Sequence, residues 1–136
     1  MRRYVAVALT TVLLSGCAQG RAAPPVDPAF RVAAAVLALE RVGRGLTPQQ
    51  AQRTLPLLEA LRHLRPEEQE VAHRLLVQFQ ALLTPAQQQA LRATRERVRE
   101  RLGGAPRPVD PERAAEFRGR VVDRAMQLLE RRARGR

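Results

Sequence analysis

The middle of the chain contains one five-residue phrase twice, and this phrase decides how the rest is divided. It reads Leu46-Thr47-Pro48-Gln49-Gln50 and then Leu83-Thr84-Pro85-Ala86-Gln87, with equivalent residues 37 positions apart. In each copy the threonine can cap a helix, the proline suits the first helical position, where no N–H is needed, and the glutamine can reach back to the cap. Each copy therefore predicts the start of a helix.

Three other segments also predict helix starts. Asp27-Pro28 and Asp110-Pro111 each join a capping carboxylate to a proline in the first helical position, and Arg65-Pro66-Glu67-Glu68 is a weaker version of the same signal. Apolar residues recur at helical spacing after every start, and no segment alternates as a strand would. The sequence predicts an all-α fold of four or five antiparallel helices, forming a bundle or a cradle. The expected helices cover residues 28–42, 48–64, 66–83, 85–102 and the segment from residue 111 onward.

Composition adds detail to three of these helices. The first is apolar on nearly all sides, so we expect it to be the most buried. Pro56 lies inside the second, where it removes one hydrogen bond and clashes with the carbonyl of Gln52, so we expect a kink or a break into two shorter helices. A kink either wraps the helix around its neighbours or shapes a curved binding surface. The expected core stripe of the last helix is Phe117, Val121, Ala125 and Leu128, with Val122, Met126 and Leu129 alongside.

The charge balance is strongly positive. The chain has 136 residues, enough for one domain, and 24 basic residues, all arginine, against 13 acidic ones, for a net charge of +11. Such a charge attracts phosphate backbones, acidic lipids and acidic protein patches alike. Binding of single-stranded nucleic acid typically adds aromatic residues among the basic ones, and only 3% of this chain is aromatic. We therefore expect no nucleic-acid partner.

The N-terminus predicts export. Met1-Arg2-Arg3 is followed by an apolar run from Tyr4 to Leu14, which is shorter than the roughly 20 residues needed to span a bilayer. The next residues, Leu14-Ser15-Gly16-Cys17, resemble a bacterial lipobox. This resemblance implies that Cys17 carries a covalent lipid such as palmitate and becomes the first residue of the mature chain. The alternative is an ordinary signal peptide followed by an incidental cysteine.

The lipobox interpretation divides the chain into a signal peptide (1–16), a lipid-anchored tether (17–27) and a helical domain (28–136). Several acyl chains would make the attachment to a membrane stable. An aspartate directly after the lipidated cysteine would resemble an inner-membrane retention signal, but this chain has Ala18 at that position. We expect an outer-membrane lipoprotein facing the periplasm if the cell has two membranes. A single cysteine also excludes an internal disulfide.

No catalytic arrangement is visible in the sequence. The chain from residue 18 onward contains no serine and no glycine-rich phosphate loop, so we predict that the protein is not an enzyme and needs no cofactor beyond the lipid. Glu70 and His73 have the Glu-x-x-His spacing of carboxylate-bridged di-iron sites, which also need a second copy of this pair and two further carboxylates. The only other histidine, His63, follows Glu59 by four positions instead of three. We predict no metal site, and Glu70 and His73 remain the candidates for a metal-sensing alternative.

The chain ends in a basic run, Arg131-Arg132-Ala133-Arg134-Gly135-Arg136. Cations at a helix C-terminus are favourable by themselves, so the run is either a frayed, solvated tail or an anchor to an anionic surface. Lipopolysaccharide and lipid headgroups are such surfaces. In the second case the residues that bind the anionic partner are Arg131, Arg132, Arg134 and Arg136.

The doubled motif Leu46-Thr47-x-x-Gln50 and Leu83-Thr84-x-x-Gln87 resembles the LTxxQ motif of small helical envelope proteins of the Spy/CpxP type. This resemblance implies an exported, all-helical, often dimeric and cradle-shaped protein. It also implies binding of partly unfolded proteins or restraint of a stress-sensing kinase, and some relatives bind zinc or other metals. The chain departs from the family in its expected lipid anchor and its scarce methionine. We transfer only the motif positions, together with Pro48 and Pro85, as structural determinants.

Three functional hypotheses follow. The first is a lipid-anchored binding module with chaperone-like activity, in which arginine-rich faces attract acidic clients and a concave, apolar and basic surface holds them. The second is a structural lipoprotein whose arginine-rich tail and fourth helix dock on lipopolysaccharide, cell-wall polymer or an assembly partner. The third is the metal sensor. The expected partners are the membrane, unfolded clients or anionic envelope polymers, and a second copy in a homodimer.

Overall fold

The structure is a computed structural model that describes residues 27–103 and 109–135. These residues form five α-helices: α1 (Pro28–Arg41), α2 (Pro48–Arg62), α3 (Gln69–Leu82), α4 (Pro85–Leu102) and α5 (Pro111–Ala133). Neither described stretch contains a strand. The predicted all-α fold is confirmed, with five helices packed together.

The helices alternate in direction. Arg62 pairs with Asp123 while Gln52 donates to the carbonyl of Ala133, so α2 and α5 run antiparallel. The ring of Phe30 contacts that of Phe117 in a tilted arrangement, and Glu40 pairs with Arg132, so α1 and α5 run in the same direction. The bundle therefore has two ends. We call the end where α1, α3 and α5 begin the entry end, and the end with both Leu-Thr-Pro motifs the motif end.

Helix α1 lies at the centre of the bundle and contacts each of the other four helices. Its apolar composition explains this position, because only a helix that is apolar on most sides is stable when surrounded. The prediction that it is the most buried helix is confirmed. Its buried residues are Ala29, Val32, Ala33, Ala35, Val36 and Leu39. Burying one side chain the size of Leu39 contributes about 1.5–3 kcal/mol of hydrophobic stabilisation.

Local capping sets most helix boundaries as predicted. The carboxylate of Asp27 accepts from the N–H of Ala29 at 2.9 Å, and that of Asp110 accepts from Glu112 at 3.0 Å. Helix α4 ends at Leu102 and is followed by Gly103, whose φ of 59° is the left-handed conformation that favours glycine at a helix C-terminus. These termini lie within a few residues of their predicted positions because caps are encoded locally.

Helix α3 begins later than predicted, at Gln69 instead of Pro66. Arg65 precedes this proline and has no side-chain acceptor for a capping hydrogen bond. The carboxylate of Glu68 instead accepts from the N–H of Arg65 at 2.8 Å, which holds residues 65–68 in a turn. Of the three nearby glutamates, Glu67, Glu68 and Glu70, only Glu70 then lies in the first turn of the observed helix.

Helix α2 continues through Pro56, so a break into two helices is wrong. An interior proline costs about 3 kcal/mol or more. Pro56 points to the exposed side, while Leu58 and Leu61 of the same helix are buried, and α2 packs against α1, α3 and α5. This packing offsets the cost of the missing hydrogen bond.

The core stripe of α5 agrees with the prediction at Ala125 and differs from it by one position on either side. The buried residues are Val122, Ala125 and Leu129, whereas Val121 and Leu128 are half-buried and Phe117 is 54% exposed. Both sets have helical spacing, and only the position of α1 and α2 decides which set faces the core. As a result, Leu128 lines a groove on the surface of the bundle and the ring of Phe117 is exposed.

Thr54 provides a test of the core. Its side chain is fully buried on α2 and its Oγ1 has no hydrogen-bond partner. Valine has nearly the same shape without the polar atom, so Thr54→Val should stabilise the fold by about 1 kcal/mol. We expect thermal unfolding to show a rise in Tm of about 4–8 °C. A lower Tm would mean that the hydroxyl is satisfied, and Thr94→Val, which removes a hydroxyl bonded to the Ala90 carbonyl, is the matched control.

Candidate functional site

Both Leu-Thr-Pro motifs form complete capping boxes at the motif end. The Oγ1 atoms of Thr47 and Thr84 accept from the N–H groups of Gln50 and Gln87 at 3.1 and 3.2 Å. The glutamine Oε1 atoms accept in return from the threonine N–H groups at 2.9 and 3.0 Å. Each motif therefore satisfies its own helix terminus, as its sequence predicts.

The two motifs also bind each other. Gln50 Nε2 donates to Gln87 Oε1 at 2.9 Å, and Gln87 Nε2 donates to Gln50 Oε1 at 3.1 Å. Each amide has a further carbonyl acceptor two residues before the partner motif's threonine: Gln50 donates to Leu82 at 2.7 Å, and Gln87 to Gly45 at 3.3 Å. The pairing is nearly symmetric and satisfies both amide groups in a largely buried position.

The remaining motif positions also have structural roles. Leu46 and Leu83 are buried in the core, 3% and 6% exposed, and Pro48 and Pro85 occupy the first helical positions. The sequence predicted the individual caps, but their pairing depends on tertiary structure and was not predicted. The only sequence signal for it was that the same motif occurs twice.

The described part of the basic run at the C-terminus belongs to the end of α5. Arg131 and Arg132 lie in the last turn of α5, and Arg134 is its C-cap residue. Arg132 forms an ion pair with Glu40, whose carboxylate occupies the space where a Cβ would be at Gly45. Arg132 therefore has an internal partner. Arg136, the fourth predicted binding residue, lies outside the described residues, and Arg131 and Arg134 are exposed at the motif end.

A groove runs along α1 between α4 and α5, and it is the candidate functional site. Its entry section has a volume of about 630 Å³ and its motif section about 780 Å³, and both sections share Ala34, Ala38 and Thr94. The floor is the half-buried side of α1. The walls are formed by Leu91, Arg95, Val98 and Arg99 of α4 and by Arg124, Leu128 and Arg131 of α5.

The charge on the groove is almost entirely positive. Its only carboxylate, Glu40, is the partner of Arg132. Six arginines line it, and none of them lies within salt-bridge distance of a carboxylate among the residues described: Arg31, Arg41, Arg95, Arg99, Arg124 and Arg131. A groove with an apolar floor and with arginines on its walls that have no carboxylate partner among the described residues favours a ligand that is both apolar and acidic.

The dimensions of the groove suit a peptide segment. Helix α1 has 14 residues and is therefore about 21 Å long. Alanines at the centre of the floor leave the groove broad and shallow, without a deep pocket for one particular side chain. An amphipathic helix or a short extended segment could lie along such a surface.

The metal candidates do not form a site in the part of the chain described. Glu70 and His73 are both exposed on α3, and no group of three or more potential metal-binding side chains occurs in residues 27–103 and 109–135. A structural zinc site takes four protein ligands. The structure thus brings no further ligand to this pair.

The predicted lipidation site, Cys17, and the predicted signal peptide lie outside the described residues. Among the helices of the described part, none is long and apolar enough to cross a membrane.

Comparisons with protein-family models, with curated proteins and with solved structures give no match in any of the three.

The glutamine pair can be tested by a double-mutant cycle. Gln50→Met or Gln87→Met alone should cost about 1–3 kcal/mol in the free energy of unfolding, because each leaves polar groups of its partner without hydrogen bonds. The double variant should cost less than the sum, with a coupling of about 0.5–3 kcal/mol. Chemical denaturation measures the free energy of unfolding of each variant and hence the coupling energy. Gln49→Met, at an exposed position, is the control. Strictly additive losses would exclude the coupling.

Proposed function

We propose that this protein is a lipid-anchored binding module of the bacterial envelope with chaperone-like activity. It holds partly unfolded, acidic segments in the groove between α4 and α5. The observation that carries the proposal is the combination of an apolar floor with six arginines that have no carboxylate partner among residues 27–103 and 109–135. The lipobox-like residues 14–17 support export and attachment through Cys17.

The shape of the groove suits transient binding. Its floor offers alanines and half-buried side chains such as Phe30 and Leu37. Contacts of this kind bury modest apolar area against many sequences and select strongly for none. The arginines add long-range attraction that speeds encounter with acidic segments and weakens with salt.

The LTxxQ-like motifs support the proposal through geometry. The Gln50–Gln87 pair holds the start of α4 beside the C-terminal end of α1, since Gln87 donates to the carbonyls of Arg44 and Gly45. This contact sets where the α4 wall of the groove begins. The motif would thus contribute to function by shaping the groove, with no direct contact to a client.

A structural lipoprotein that docks on anionic envelope polymers is the second candidate. The observation that favours it is the set of exposed arginines at the motif end, Arg41, Arg44, Arg131 and Arg134. The Glu40–Arg132 ion pair lies at the same end of the bundle. We propose no enzymatic activity, no cofactor beyond the lipid and no nucleic-acid partner. Metal sensing through Glu70 and His73 is the least favoured alternative, and homodimerisation remains a prediction.

The main proposal predicts suppression of client aggregation. A soluble form of residues 18–136 without the cysteine keeps all five helices. At equal molar ratio it should reduce light scattering of an acidic unfolding client at both low and physiological salt. Suppression at low salt only would identify a generic polycation, and none at either salt would exclude the chaperone-like activity.

Groove variants test the location of that activity. Ala34→Glu places a carboxylate on the floor and should abolish suppression, whereas Ala86→Glu on the exposed start of α4 should not. The double variant Arg124→Gln/Arg131→Gln should weaken client binding by up to about fivefold per charge. Arg53→Gln/Arg74→Gln, two exposed arginines outside the groove, is its control. Equal losses in both pairs would place binding outside the groove.

The second candidate predicts salt-sensitive binding to lipopolysaccharide or cell-wall polymer. Arg131→Gln/Arg134→Gln should weaken this binding while leaving the Arg132–Glu40 pair intact. Deleting the whole tail would be a poorer test because it removes that pair as well. Full binding by the double variant would exclude the tail as the docking surface.

A further inference from the structure

Exposed apolar side chains are concentrated at the entry end. Of the six large hydrophobic residues exposed in the described chain, two lie elsewhere, Val42 and Val77. The other four lie near the end of α4 or the start of α5, and we call them the entry patch: Val98, Leu102, Val109 and Phe117. Leu102 is the most exposed, at 69%.

The members of the entry patch lie on neighbouring surfaces. Val98 and Leu102 are one turn apart on the same side of α4. Phe117 of α5 lies near Phe30, with ring centroids 6.2 Å apart, and Phe30 shares the entry section of the groove with Val98. Val109 directly precedes the N-cap residue of α5. Phe30 thus connects the exposed apolar side of α4 with Phe117 of α5 at the entry end.

Arginines surround this surface. Arg31, Arg95 and Arg99 line the adjoining section of the groove and have no carboxylate partner among the described residues. Arg113 and Arg120 flank Phe117 on α5. Their ion pairs with Asp110 and Glu116 are long, at 3.9 and 3.6 Å, and exposed, so they are easily exchanged for other anions.

The position of the preceding chain indicates what this surface faces. Residues 1–26 join the bundle at Asp27, which shares a cleft with Ala115 and Arg118 of α5. Asp27 lies ten positions after Cys17, a distance of at most about 33–36 Å when the chain is fully extended. A lipid on Cys17 would thus hold the entry end close to the membrane and at high local concentration.

Charge complementarity disfavours the two occupants that the chain itself could supply. Residues 1–26 contain Arg2, Arg3 and Arg21 and no carboxylate, so this segment does not complement a basic rim. A second copy of the chain would also be strongly basic overall. An anionic bilayer complements both the arginines and the apolar residues, because phosphates lie directly above the acyl chains.

We propose that the entry patch is a membrane-contact surface for bilayers that contain anionic phospholipid. Leu102, Val109 and Phe117 enter the headgroup region while the surrounding arginines bind lipid phosphates. The motif section of the groove and the exposed arginines at the motif end then point away from the anchoring membrane. This inference goes beyond client binding, and its orientation rests on the lipidation of Cys17 included in the proposed function.

A tryptophan can report the contact directly, since the chain contains none. Leu102→Trp in the soluble form of residues 18–136 should show a blue-shifted emission and reduced quenching by acrylamide on vesicles of phosphatidylglycerol and phosphatidylethanolamine. Vesicles of phosphatidylcholine alone should have a much smaller effect. Val77→Trp on α3, equally a substitution of an exposed residue, is the control. No shift at position 102, or the same shift at position 77, would overturn the proposal.

Co-sedimentation with the same vesicles separates the patch from the tail. Leu102→Ser/Phe117→Ser should weaken partitioning by roughly tenfold, because two large apolar contacts are lost. Val42→Ser/Val77→Ser should change it little, and circular dichroism should show that both pairs remain folded. Loss of partitioning in Arg131→Gln/Arg134→Gln instead would assign binding to the tail and overturn the patch. Client aggregation is measured without lipid, so the two proposals fail independently.

Discussion

The amide pair between half-buried Gln50 and buried Gln87 is the contact on which the motif end depends. Two helix starts, each already capped, share their glutamine side chains, so the turn from α1 to α2 and the turn from α3 to α4 form one unit. A buried amide is costly unless all its hydrogen bonds are made. Here both amides are satisfied only when the two turns lie in this one arrangement. The pair therefore specifies the packing of the two turns as well as stabilising it.

Helix α4 depends on this contact more than any other helix. Its buried residues are only Gln87 and Leu91, both in its first half, and it packs mainly against α1. Its second half is held by little besides the continuity of the helix, and Val98 and Leu102 stay exposed there. A fuller apolar stripe would have closed α4 onto α5 and removed the groove. The open groove and the weakly packed wall thus have the same cause.

Local signals predicted the five helices because caps and prolines act within a few residues. The starts of α1, α2, α4 and α5 follow from the side chains at Asp27, Thr47, Thr84 and Asp110. The late start of α3 also has a local cause, the turn that Glu68 closes with the N–H of Arg65. The other exceptions required tertiary information. Pro56 is tolerated because of packing on the other side of α2, and the core side of α5 depends on where α1 and α2 lie. The groove was predicted only as a concave, apolar and basic surface, since its arginines come from three separate helices.

The number of helices has a consequence for how the surfaces are arranged. In a bundle of consecutive antiparallel helices, an odd number places the two chain termini at opposite ends. Here Asp27 lies at the entry end, while Arg132 contacts Glu40 at the motif end. Attachment through the proposed lipid on Cys17 would then turn the basic C-terminal run away from the membrane, with the groove between the two ends. A sixth helix would have brought that run back beside the anchor, where anionic headgroups would compete for the same arginines.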